Sequence, residues 1–269
     1  TLRFLPGEAA GQWIRPMWQT WGRLLRRCES PPETPFFHAR FHYSGRMRAL
    51  FLALLILAAC GRPLAESELA LAEGLFGESL DPRPVRVVEN SLIGLRSFDY
   101  PARPRTTCRE RILPPDDVPR FTARAAGMVF WNHIHIRSDL MRADYARRPD
   151  GAVDLGAAMF IAHELTHVWQ WQNRTQTGYS PMRGGMEHLS GADPYLFDPA
   201  GDAHFLDFGY EQQASLVEEY ICCQALDPGG ARTARLHALL EGVMPAPMLS
   251  LPDDIRLPWP DAPRGGICS

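Results

Sequence analysis

His163-Glu164-Leu165-Thr166-His167 places two imidazoles four residues apart, with a carboxylate beside the first. On a helix, residues four apart share a face, so both rings can reach one Zn²⁺ ion. Glu164 then reaches a water on that ion, where hydrolysis needs a general base. The flanks are apolar, Ala157 to Ala162 before the motif and Val168-Trp169 after it. They predict a helix from Gly156 to about Asn173.

A catalytic zinc takes three protein ligands and leaves one position open. A third His at the end of a longer H-E-x-x-H-x-x-G-x-x-H run is absent, because Gln170 and Asn173 stand at the required places. The third ligand must come from further along the chain. A second predicted helix, Gly209 to about Leu226, carries Glu211, Glu218 and Glu219. Glu211, Ser215, Glu218 and Cys222 share one face of it. We expect Glu211 as the third ligand and Glu218 as the carboxylate that orients a His, or as the alternative ligand. His188 and His204 are weaker rivals. Tyr210, Tyr220 and His204 are the candidates for a donor to an oxyanion.

Further elements must position these groups. Ala65 to Phe76 reads as a helix that Gly77 ends. Val85 to Val88 reads as a short strand, and Leu92 to Phe98 as a weaker one. Four prolines mark 101–120 as irregular chain. Met128 to Ile136 reads as one edge strand, with Trp131, His133 and His135 on one face. His133 and His135 are expected to form its polar face rather than to bind metal, and the strand can pair with an extended peptide. Residues 174–207, rich in Gly, Ser, Asp and Pro, read as one long loop. Arg232 to about Leu240 reads as a third helix. Prolines between Pro245 and Pro263 predict an extended tail over 245–269.

The chain has 269 residues, 45% of them hydrophobic, enough for one sizeable core with an extension. Its net charge is −3 and every basic residue is Arg, which suggests no nucleic-acid partner. Arg46 and Arg48, the apolar run Ala49 to Leu57 and Ala58-Ala59-Cys60 have the layout of a secretory signal. The ending Leu57-Ala58-Ala59-Cys60 resembles the bacterial lipoprotein signal, in which the Cys is lipidated and becomes the mature N-terminus. That gives a signal at 47–59, a domain at 60–244, and a membrane anchor at Cys60 in the bacterial cell envelope, at its periplasmic face or outer membrane. Residues 1–46 precede a complete signal and read as an over-extended gene start; a basic amphipathic helix carrying Trp13, Trp18 and Trp21 is the other reading.

An exported chain with Cys108, Cys222, Cys223 and Cys268 left over suggests two disulfides. Adjacent cysteines rarely bridge each other, so Cys222 and Cys223 each pair with Cys108 or Cys268. A cysteine zinc cluster competes with this, but no C-x-x-C spacing supports it.

The H-E-L-T-H-V-W-Q-W-Q run, followed some forty residues on by F-G-Y-E-Q-Q-A, resembles zincin-like metallopeptidases of the bacterial Vgr-related proteins, near the injection-system core domain. The opening Leu64 to Ala72 with Phe76-Gly77 is also similar. The resemblance spans roughly residues 63–226. It implies an α+β, zincin-like fold: a small sheet whose edge strand packs on the motif helix, with a second, ligand-bearing helix. It agrees with His163, His167 and Glu211 as ligands and Glu164 as the base. The expected function is a zinc-dependent hydrolase, a metallopeptidase acting on peptide or protein. The alternative is a lipid-anchored binding or scaffold module that keeps zinc without turnover.

Overall fold

The computed structural model describes residues 61–115, 118–189, 191–198, 200–201, 203–245, 251 and 254–269. The gene-start, signal-peptide and Cys60 expectations lie outside these residues. Helix α1, Glu66–Phe76, comes first, followed by strands β1, Arg86–Glu89, and β2, Ser97–Pro101. A one-turn helix α2, Cys108–Arg111, precedes β3, Arg120–Arg124, β4, Gly127–Phe130, and β5, His133–Ile136. After β6, Val153–Asp154, come the long helix α3, Leu155–Gln172, and the short helices α4, Arg174–Thr177, and α5, Pro181–Glu187. Helices α6, Tyr210–Leu226, and α7, Ala231–Glu241, lead to β7, Ile255–Arg256.

Helix α3 runs through the core, and Asp154 starts it by accepting the Ala157 N–H at 3.2 Å. Fourteen of its 18 residues are buried, so it is enclosed on every side rather than amphipathic. Helix α6 packs against it with 12 of 17 residues buried. Ile161, Leu165, Val168 and Trp169 meet Val217, Tyr220 and Ile221 in one core cluster, which also takes Leu75 and Phe76 from α1 and Ile134 and Ile136 from β5. Burying each such side chain contributes roughly 1.5–3 kcal/mol.

The larger sheet has the order β1-β5-β4, with β5 parallel to β1 and antiparallel to β4. The single strand expected over Met128 to Ile136 is therefore a hairpin. Trp131 and Asn132 form a two-residue turn, and Phe130 pairs with His133. Trp131 takes φ 57°, a conformation hairpin turns usually give to Gly, Asn or Asp, so Asn132 alone, with no Gly beside it, marked the reversal. Strands β4 and β1 are the outer strands, and β5, which carries His133 and His135, lies inside the sheet.

Other expectations need correction. The strand expected over Leu92 to Phe98 begins only at Ser97 and runs to Pro101, after a turn at 91–96. The 101–120 stretch contains α2, because Thr107 caps it by accepting the Glu110 N–H, and the start of β3, which pairs with β2 as a separate two-stranded ribbon. The 174–207 loop contains α4, α5 and a 3₁₀ turn at Phe205–Asp207. Ser180 caps α5 with Pro181 in its first turn, but Gly184 and Gly185 weaken the helical signal there. The C-terminal segment is not a free tail. Ile255 and Arg256 pair with Val153 and Asp154, and Ile267 and Cys268 are fully buried.

Candidate metal centre

Helix α3 turns His163, Glu164 and His167 inward, and all three are buried. Glu211, in the first turn of α6, is brought against them. Its Oε2 lies 3.0 Å from Nε2 of His163 and 3.4 Å from Nε2 of His167, and the two Nε2 atoms are 3.2 Å apart. Three donors about 2.0–2.1 Å from one tetrahedral ion must stand about 3.3 Å from one another. The donor set, two imidazole nitrogens and a carboxylate oxygen at that spacing, fits a zinc ion.

The far side of each imidazole is also held. Nδ1 of His167 is 2.8 Å from Oε1 of Gln170, so that nitrogen donates its proton and Nε2 keeps its lone pair. Gln170 is itself fixed, donating to the Tyr210 carbonyl at 3.0 Å and to Gln213 Oε1 at 2.9 Å. Nδ1 of His163 lies 3.1 Å from Oε1 of Glu218, an ion-pair contact without hydrogen-bond alignment. Arg109 grips the other Glu218 oxygen at 2.7 Å. Glu218 thus touches the outer nitrogen of His163, while Glu211 faces both Nε2 atoms. His188 contacts the second oxygen of Glu211 at 3.1 Å, and Tyr179 stacks on the His167 ring.

Charge follows from these contacts. Burial opposes charge on His163, but the Glu218 and Glu211 carboxylates outweigh it and raise the pKa to about 10. Burial pushes Glu218 up, yet the Arg109 guanidinium and His163 hold it at about 2. Burial likewise works against Glu211, and His167 and His163 pull it well below the carboxylate range. Glu164 goes the other way. Burial raises its pKa more than the two histidines lower it, and its Oε2 has no hydrogen-bond partner. Its carboxylate presses on Gly127 at the start of β4, where a Cβ would stand 2.4 Å from Oε1.

A cavity of about 80 Å³ opens beside Glu164, walled by Phe98, Tyr100, Arg103, Ala123 to Gly127, Phe160 and Tyr195 as well as by His163 and Glu218. None of the three expected oxyanion donors lines it. Tyr220 is buried against His237, and His204 is exposed in front of the 3₁₀ turn. Tyr210 packs its ring on Tyr179. In their place the fold brings Tyr195 to within 5.7 Å of the His163 ring and 5.5 Å of the His188 ring. Burial, with Glu211 and Glu164 nearby, raises the Tyr195 pKa strongly, so its hydroxyl stays protonated. Gln170 was readable as a helix neighbour three residues from His167. Arg109 and Tyr195 carry no sequence signal that links them to the motif.

The four cysteines form Cys108–Cys222 and Cys223–Cys268. Three of their sulfurs lie close enough to share a metal, but each is tied up in a disulfide and offers no thiolate.

No family model matches the chain. Over 167 residues it is 27% identical to the type VI secretion system spike protein VgrG2b of Pseudomonas aeruginosa, a match covering 61% of this chain and 13% of that protein. The chain therefore spans only about 13% of the length of this relative. Among solved structures, the effector domain of Pseudomonas aeruginosa VgrG2b matches with a TM-score of 0.43 and 24% identity, covering 74% of this chain and 96% of that one. These matches correct the resemblance drawn from the sequence. The relatives are a spike protein and its effector domain, not a family of zincin-like metallopeptidases. The Vgr-related part of the resemblance agrees with them.

Proposed function

We propose that the chain is a zinc-dependent hydrolase of peptide bonds. The observation that carries this is the triangle of His163 Nε2, His167 Nε2 and Glu211 Oε2, with the free oxygen of Glu164 buried beside it. His163, His167 and Glu211 are the residues that would hold the ion. When bound, zinc polarises a carbonyl and lowers the pKa of water toward about 7. Glu164 accepts a proton at Oε2 and returns it to the leaving amine. Gln170 and Glu218 keep both imidazoles aimed inward. The edge strand β4 starts at Gly127, against the Glu164 carboxylate, and suits an extended peptide chain pairing along it.

Two disulfides suit an oxidising compartment, and a relative named for a secretion system agrees with export. Lipid attachment at Cys60 belongs to the same proposal.

The deciding experiment compares wild type with Glu164→Gln for zinc content and casein cleavage. We expect one zinc per chain in both, and cleavage at least about 10²-fold slower in the variant. Zinc-loaded wild type that cleaves no peptide would sink the hydrolase reading and leave a zinc-holding scaffold module. A variant that loses zinc would make Glu164 a ligand rather than a base.

A further inference from the structure

The β2–β3 ribbon is separate from the main sheet, and Tyr100 and Ala123 are its only buried residues. Tyr100 is 4% exposed, with its ring packed on Phe98 and Phe121. It lines the cavity shared with His163 and Glu164, yet its Oη is buried and has no hydrogen-bond partner. An unpaired buried hydroxyl carries the whole cost of its lost hydration, and Phe would fill the same packing role without that cost. The hydroxyl also remains a donor, because burial above all, and then the Asp193 carboxylate, raise its pKa.

The other cavity groups define what it can donate to. Arg103 is already engaged by Asp193 at 2.5 Å, and Arg109 by Glu218 and Glu110. Arg124, also on the cavity wall, donates to the Gly94 carbonyl at 2.6 Å. The Tyr100 hydroxyl itself is a neutral donor that an amide carbonyl can accept from.

We propose that Tyr100 is a substrate-contacting residue whose hydroxyl donates a hydrogen bond to a carbonyl oxygen of a peptide bound between the β2–β3 ribbon and the motif helix. The peptide nature of the ligand rests on the hydrolase reading; the contact itself rests on the unpaired hydroxyl of a residue on the cavity wall.

The test is Tyr100→Phe, read three ways. Without substrate, its thermal midpoint should equal or exceed that of wild type, since no native hydrogen bond is lost. With zinc and a fluorogenic casein-derived peptide, kcat/KM should fall about tenfold or more, as expected for one lost hydrogen bond. Fluorescein-labelled casein peptides should bind Glu164→Gln about tenfold more tightly than Glu164→Gln/Tyr100→Phe. A lower midpoint with unchanged kcat/KM would make the hydroxyl structural, and unchanged kcat/KM and peptide binding would leave it no part in binding; either overturns the proposal. If wild type cleaves nothing but the binding difference persists, the hydrolase reading falls and the Tyr100 contact stands. Equal peptide binding by the two Glu164 variants, or none by either, overturns the contact.

Discussion

Arg109 Nη1 lies 2.7 Å from Glu218 Oε2, a pair enclosed between α2 and α6, and the opposite oxygen of that carboxylate meets His163. A four-residue helix thus steadies the outer face of a candidate metal ligand. Arg109 also donates to Ser215 Oγ at 2.8 Å, which fixes its approach to α6.

Replacing Arg109 with Gln leaves the Glu218 charge buried without its main partner. Breaking such a pair costs about 3–5 kcal/mol. Zinc affinity should also drop about 10–100-fold, the usual effect of losing an outer partner of a metal-bound His. Chemical denaturation and a competitive zinc chelator measure the two separately. Unchanged zinc affinity would remove Glu218 from the support of His163.

The same pair predicts an acid response in the metal-free protein. Glu218 is held at about 2 against an ordinary value of 4.5, so its stabilising contribution is complete above about pH 4.5 and is lost as the pH falls through about 2. Arg109→Gln lets the carboxyl protonate at higher pH. Acid unfolding of the variant, followed by circular dichroism, should begin at higher pH than in wild type.

Gly127→Ala should separate catalysis from metal binding. Its new Cβ would fall 2.4 Å from Oε1 of Glu164, so the carboxylate must shift toward the cavity and away from its place beside the two histidines. Zinc content should stay at one per chain while casein cleavage falls by about 10²-fold, the scale of a misplaced general base. A fully active Gly127→Ala would show that the carboxylate can move aside without loss.

The two disulfides should differ in their effect on the site. Cys108–Cys222 closes 114 residues and Cys223–Cys268 closes 45, so either loss should cost about 4–5 kcal/mol on chain-entropy grounds. Cys108→Ala/Cys222→Ala also frees α2, and with it Arg109, so it should weaken zinc binding as well as stability. Cys223→Ala/Cys268→Ala releases the C-terminal segment and should leave zinc affinity near that of wild type. Equal zinc affinity in the two pairs would break the link from α2 to His163.

The motif helix was legible because the apolar residues Ala157 to Ala162, Leu165, Val168 and Trp169 flank His163 and His167, and its end was legible to within a residue. Helix α6 was legible from the helical spacing of its side chains. The hairpin was not, since Trp131 occupies the turn without Gly or Asp to mark it. In 174–207 the start of α5 at Ser180-Pro181 follows helix-start preference, but Gly184 and Gly185 masked the helix beyond it. The C-terminal prolines suggested free chain, whereas the burial of Ile267 and the Cys268 bridge hold that segment down.

What the sequence determined by itself is local: helical spacing put His163 and His167 on one face, and the same rule aligned Glu211 with Glu218 one helix later. Tertiary structure decided everything that depends on two distant segments meeting. It chose Glu211 Oε2 to face both Nε2 atoms and gave Glu218 the outer nitrogen of His163. It also matched Cys108 to Cys222, set Arg109 behind Glu218, and turned Tyr100 and Tyr195 into the cavity. Those pairings arise from packing α3 against α6 and from the cavity that the ribbon shares with them, a long-range arrangement that no periodicity within a single segment encodes.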